Sequence, residues 1–223
     1  MDRYVREILL FGEEKFNRIN QSKVIVFGCG GVGGYVVEAL ARCGVGTIGV
    51  VDYDVVEISN INRQIIALEN NVSRKKVDVI KERINAINSK IVVKTYDMFF
   101  DENSQIDISQ YDYVVDAIDS VKSKVYLAET ASKKGIKIIS AMSAGNKVDA
   151  TAFCVEDIYK TTDCPIAKIM RKELKKLDVP SLKVVYSKEK LLRNEKPVAS
   201  FCPVVGCMGF IIAGEVIKEI INE

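Results

Sequence analysis

A chain of 223 residues with 48% apolar content is long enough to bury one good core. Its net charge of +2, from 32 basic and 30 acidic residues, exerts no global pull on nucleic acid or anionic membrane, so any basic surface must be local. Histidine is absent, which excludes imidazole general bases, histidine-containing triads and histidine metal ligands and leaves catalysis to Asp, Arg, Lys, Cys or backbone groups.

In chain order, Tyr4, Ile8, Leu9, Phe16 and Ile19 predict one or two helices whose apolar side packs on the sheet. Short β-branched runs at 23–27, 47–51, 91–95, 113–116 and 136–140 predict strands. Helices are expected between them: 32–43, rich in small residues; 75–87, with Val77, Ile80, Ile84 and Ile87 on one face; and 121–133, with Val121, Val125 and Ala128 at similar spacing. Strands alternating with helices predict an α/β fold, a Rossmann-like, mostly parallel sheet with flanking helices. Beyond Ser140 the pattern changes to a strand at 147–155, a basic helix at 165–177, a strand at 182–187 and a last helix at 205–221. This stretch is expected to extend the same unit, so that 1–223 form a single domain with its nucleotide-binding core at residues 20–140. The apolar run 204–214 is interrupted by Glu215 and falls short of the ~20 residues of a membrane span, so a buried helix is expected there.

The six cysteines, at 29, 43, 154, 164, 202 and 207, include no C-x-x-C pair and so offer no recognisable thiolate zinc site. The N-terminal residues lack the apolar core of a signal peptide, and a reducing cytoplasm with free thiols is the expected setting. Cys164, just before the basic helix, and Cys202 are the candidate nucleophiles, weighed against the commoner role of a small packed thiol. Cys29 reads as a packing residue.

Gly28-Cys-Gly30-Gly-Val-Gly33 follows a strand and opens a helix, the context in which G-x-G-x-x-G binds a pyrophosphate. Such glycines let the backbone approach phosphate while the helix N-terminus presents free N–H groups. Asp52 ends the second strand, where a carboxylate accepts hydrogen bonds from ribose hydroxyls. On these residues alone NAD is the default ligand. Asn60, Arg63 and Gln64, with Lys75 and Lys76 opening the next helix, point elsewhere: a nicotinamide needs no such cations, whereas attack of a carboxylate on an α-phosphate does. Asp119, just past the fourth strand, is placed to hold magnesium against phosphates; Asp116, within that strand, competes for the role but reads better as structural.

Arg3-Tyr-Val-Arg6, the glycine turn, Asp52-x-Asp54 with Asn60-x-Asn-Arg-Gln64, Lys76 and Asp116-Ala-Ile-Asp119 together resemble the ubiquitin-activating-like (ThiF/MoeB-type) adenylating superfamily over about residues 3–140. The resemblance implies ATP and Mg2+ as ligands, with Gly28, Gly30, Gly31 and Gly33 at the nucleotide and Asp52 at the ribose. It further implies Asn60, Arg63 and Lys76 at the phosphates and Asp119 at the metal and α-phosphate. Arg6 matches an arginine supplied to the partner subunit's site, which implies a homodimer and makes Arg6, Arg63, Lys76 and Asp119 the expected catalytic set.

Within that superfamily 62–68, 145–151 and 157–163, running into the basic helix, resemble the tRNA threonylcarbamoyladenosine dehydratase family. The implied reaction adenylates the threonyl carboxylate of N6-threonylcarbamoyladenosine in tRNA and closes a ring as AMP leaves. The alternative is adenylation of the C-terminal glycine of a ubiquitin-like sulfur-carrier protein, which would bring sulfur-relay partners; an NAD-binding oxidoreductase or nucleotide sensor is the third. Asp163-Cys164-Pro165 departs from the family's Asp-Pro step. Residues 168–196 hold ten Lys or Arg against four acids, a segment suited to tRNA phosphates and equally to an acidic carrier protein.

Overall fold

A computed structural model of the protein describes residues 3–190 and 198–222. Two helices, α1 (Val5–Phe11) and α2 (Glu13–Gln21), meet at Gly12. The alternating part comprises β1 (Lys23–Phe27), α3 (Gly33–Arg42), β2 (Thr47–Asp52), α4 (Lys76–Ile87), β3 (Val92–Asp97), β4 (Tyr113–Asp116), α5 (Val121–Lys134) and β5 (Lys137–Ala141). Then come β6 (Phe153–Asp157), α6 (Pro165–Lys176), β7 (Lys183–Ser187) and α7 (Cys202–Ile221).

The strands form one sheet in the order β3-β2-β1-β4-β5-β7-β6, parallel throughout except where β6 runs antiparallel to β7. Both faces are covered, so β1 is apolar nearly end to end: Val24 and Val26 join the core under α3, α4 and α7, while Ile25 and Phe27 join the one under α5. A third cluster packs α6 against α5 and β7 through Ala167, Met170, Leu174 and Val184. Sequence order reverses between β1 and β4, which opens a crevice at their carboxyl ends. Phe27 is level with both Val51 and Asp116, so Gly28, Asp52 and Ala117 emerge at one height around that crevice.

Two expectations are corrected. No strand begins at Lys147: the backbone N–H groups of Val148 and Asp149 donate to the Glu189 carboxylate, and Asp149 caps a 3-10 turn over Ala150–Ala152. Those bonds replace a strand ladder, and β6 starts only at Phe153. In the N-terminal helices Tyr4, Phe16 and Ile19 are buried as expected, but Leu9 is 81% exposed and its neighbour Leu10 75%. α1 rests on α2 rather than on the sheet, which leaves the second half of its apolar side uncovered.

Candidate functional site

The glycine turn lies where β1 enters the crevice. Gly28 has a φ of +83°, and a Cβ there would stand 2.5 Å from the Ala117 carbonyl oxygen. At Gly33 a Cβ would fall 1.8 Å from the Gly28 carbonyl oxygen, so only hydrogen lets α3 start this close to β1. Gly30 and Gly31 are different: added carbons there would meet only ordinary contacts, with Gln64 and Val205. The N–H groups of Gly30, Gly31, Val32 and Gly33 have no acceptor among the described residues, and Val32 gives α3 no side-chain cap. Four free donors at a helix N-terminus make an anion site.

Asp52 closes one side. Its Oδ2 accepts the Cys29 N–H at 2.7 Å and its Oδ1 the Asp54 N–H at 2.9 Å, which ties the glycine turn to the end of β2. Burial pushes its carboxyl up, against those two hydrogen bonds and the nearby Lys76 charge. Lys76 is buried at the start of α4 and donates through Nζ to Asp54 Oδ2 at 2.7 Å. Asn60, buried at the end of a 3-10 turn, accepts the Glu57 N–H at 3.2 Å. Half-buried Arg63 donates through Nη1 to the Ser59 carbonyl at 2.8 Å and to Asn62 Oδ1 at 3.0 Å.

Asp119 is exposed past the end of β4 and has no ion-pair partner among the described residues. It belongs to the same acidic edge as Asp52 and Asp54: the Tyr53 hydroxyl is pushed up first by Asp54, then by burial, then by Asp119 and Asp52. Asp116 is structural. It is fully buried, takes the Lys124 Nζ at 3.0 Å and the Ser140 hydroxyl on Oδ2, and holds the Ile118 N–H on Oδ1 at 3.1 Å. This buried ion pair anchors the turn that carries Asp119. Lys124 had no sequence signal, because a lysine on an amphipathic helix reads as a solvated charge.

Arg6 stands apart from the others. It is exposed on α1, whose start packs at the far ends of α3 and α4: Tyr4 meets Gly44 and donates weakly to the Ala41 carbonyl, and Asn88 donates to the Tyr4 hydroxyl. α3 leads away from the glycine turn to that end, so Arg6 does not join Arg63, Lys76 and Asp119 within one chain. All six cysteines are free thiols. Cys164 is packed into the α6 cluster, and burial, with Asp52 beside it, pushes the Cys29 thiol well up. Only Cys202 is exposed, at the start of α7, 2.7 Å from the Tyr35 hydroxyl.

On α6, Lys168, Lys172 and Lys175 fall at i, i+4 and i+7, exposed and without ion-pair partners among the described residues. Arg171 turns inward to the carbonyls of Ile158 and Thr161. Arg193 and Lys196, counted in the basic segment, lie outside the described residues. Among the described residues no helix is long and apolar enough to cross a membrane.

Residues 4–223 match the ThiF family model. The tRNA threonylcarbamoyladenosine dehydratase of Bacillus subtilis (strain 168) is 36% identical over 244 aligned positions, covering 100% of this chain and 96% of that protein. The Escherichia coli (strain K12) protein of the same name is 39% identical over 74% of this chain, an alignment that spans 63% of its own length. The solved E. coli dehydratase in complex with ATP superposes with a TM-score of 0.91 at 32% identity, covering 99% of this chain and 94% of that one. An adenylyltransferase and sulfurtransferase of Arabidopsis thaliana is 35% identical over 68% of this chain but only 33% of its own length. With the free donors of the glycine turn, Asp52 and the Asp116–Lys124 anchor all in one crevice, the chain belongs to the ThiF family and, within it, to the tRNA threonylcarbamoyladenosine dehydratases.

Proposed function

We propose that this protein is an ATP-dependent dehydratase that activates the threonyl carboxylate of N6-threonylcarbamoyladenosine in tRNA and closes it into a ring. The observation that carries this is the uncapped start of α3, with four unbonded N–H groups, beside Asp52, Lys76 and Asp119. The α-phosphate of ATP binds at those N–H groups and the ribose hydroxyls donate to Asp52. The substrate carboxylate oxygen attacks the α-phosphorus, and pyrophosphate departs with the electrons of the broken P–O bond. Arg63 and Lys76 lower the repulsion between the two anions and stabilise the charge that grows on phosphorus-bound oxygens. A nitrogen of the same carbamoyl group then attacks the acyl carbon, loses its proton, and AMP leaves; the nucleoside is lighter by one water.

Magnesium held through phosphates needs only one or two protein carboxylates, and Asp119, exposed and unpaired, suits it. Bound there, the ion would neutralise phosphate charge. The unpaired stripe Lys168, Lys172 and Lys175 supports tRNA as the partner, since clustered cations without carboxylate partners attract a phosphate backbone. Arg6, remote from its own crevice, supports a homodimer in which each chain completes the other's site. We take residues 1–223 as one adenylating domain that acts in the cytoplasm, where its tRNA is found. Incubation with ATP, magnesium and tRNA bearing the open nucleoside should give the cyclic one by mass spectrometry. No cyclic product, with pyrophosphate exchange driven instead by a ubiquitin-like carrier protein, overturns this in favour of sulfur-carrier activation.

A further inference from the structure

Residues 198–200, which lead into α7, bridge the two sides of the crevice. On the β5 side Asn146 grips Ala199 twice: its N–H donates to the Ala199 carbonyl at 2.7 Å, and its Oδ1 accepts the Ala199 N–H at 2.8 Å. Asn146 has a φ of +57°, a left-handed conformation that asparagine tolerates better than most residues. On the β2 side the Ser200 carbonyl accepts Asn62 Nδ2 at 3.2 Å. The strand order β2-β1-β4-β5 sets these two attachments on opposite sides of the crevice between β1 and β4. With Nδ2 committed to Ser200, the Asn62 amide presents Oδ1 to Arg63, which donates to it through Nη1 at 3.0 Å. The other Nη1 hydrogen goes to the Ser59 carbonyl at 2.8 Å. That nitrogen is then fully used, while Nε and Nη2 of Arg63 have no acceptor among the described residues. Together they form the edge of a guanidinium that meets a phosphate with two parallel bonds.

We propose that Asn62 is a positioning residue for adenylation: locked by Ser200, it fixes the Arg63 guanidinium so that the Nε and Nη2 edge is kept for the phosphates of ATP. The role rests on the reading above that Arg63 acts on those phosphates. A guanidinium tied only to Ser59 keeps rotamers in which that edge turns away, and selecting among them costs entropy at the transition state. Asn62 makes the selection before ATP arrives. Because residues 198–200 are pinned by Asn146 as well, both walls of the crevice must be in place before Arg63 is.

Turnover of tRNA bearing the open nucleoside, with kcat and the KM for ATP measured separately, tests this in Asn62→Ala, Asn146→Gly, Arg63→Ala and the double variant Asn62→Ala with Arg63→Ala. Asn62 is exposed, so Asn62→Ala should keep the wild-type thermal midpoint. Its kcat should fall roughly tenfold and its KM for ATP should change by less, since what is lost is alignment in the transition state. Asn146→Gly keeps the left-handed backbone but releases the Ala199 N–H, and should lower kcat in the same sense by a smaller factor. In the Arg63→Ala background, Asn62→Ala should change kcat by less than about twofold, because no guanidinium is left to position. A full tenfold loss in that background marks Asn62 as a structural support and overturns the proposal, as does wild-type kcat in Asn62→Ala alone. Wild-type kcat in Arg63→Ala overturns instead the assignment of Arg63 to the phosphates, and the role of Asn62 with it.

Discussion

Arg63 and Asp119 hold little of the fold together. Arg63 braces only its own turn, and Asp119 is exposed and unpaired among the described residues. Arg63→Ala and Asp119→Ala should therefore keep the wild-type thermal midpoint yet lower kcat by at least about a hundredfold, the scale of removing one group that stabilises transition-state charge. Wild-type turnover in either variant would remove its role. The glycines divide in the same way. Gly33→Ala drives a carbon into the Gly28 carbonyl and should cost about 3 kcal/mol or more in urea unfolding. Gly30→Ala meets only Gln64, so it should fold normally and bind ATP less well. Equal unfolding midpoints for the two would mean that the turn relaxes freely.

At the scale of elements, the clearest long-range tie is the Glu38 carboxylate, which α3 presents to α4. It accepts Arg83 Nε at 2.5 Å and Arg42 Nε at 2.8 Å. Burial pushes its carboxyl up, but hydrogen bonds from Arg83 and then Arg42 outweigh this and hold it below the ordinary glutamate range. A lowered folded-state pKa gives stability that is complete above the unfolded-state value and lost as pH falls through the folded one. Glu38→Gln should thus cost about 1–2 kcal/mol at neutral pH, the arginines being partly exposed, and the difference from wild type should vanish in acid below the glutamate range. A pH-independent difference would point to packing instead. The helices and strands were legible because each is announced by its own period and breakers: β1, α3 and α4 fall within a residue of their expected bounds. The strand expected from Lys147 failed because its backbone donors are claimed by Glu189, some forty residues on, and no local pattern carries that.

For the whole molecule, the nucleotide half of the site was readable because its chemistry lies in one strand-turn-helix unit and one strand end. Lys124 under Asp116 was hidden, since it depends on what the fold brings beside it. Arg6 could be matched by family resemblance, but its distance from the crevice appears only in three dimensions. That distance gives a test of assembly. Arg6→Ala and Asp119→Ala, each inactive alone, should regain about a quarter of wild-type activity when unfolded together and refolded in equal amounts, as half the dimers are then mixed with one intact site each. No recovery would argue that Arg6 acts within its own chain.

The order in which the sheet closes has a further consequence. β7 is made after β6 yet lies between it and β5. While the chain is being synthesised, the backbone edge of β5 therefore stays unpaired until Lys183–Ser187 emerge, and β6 waits with no neighbour of its own. An open parallel edge of this kind recruits other strands. Nascent chains arrested near residue 180 should aggregate, whereas those that have released β7 should remain dispersed, so this protein's exposure to misassembly is concentrated between the making of β5 and that of β7.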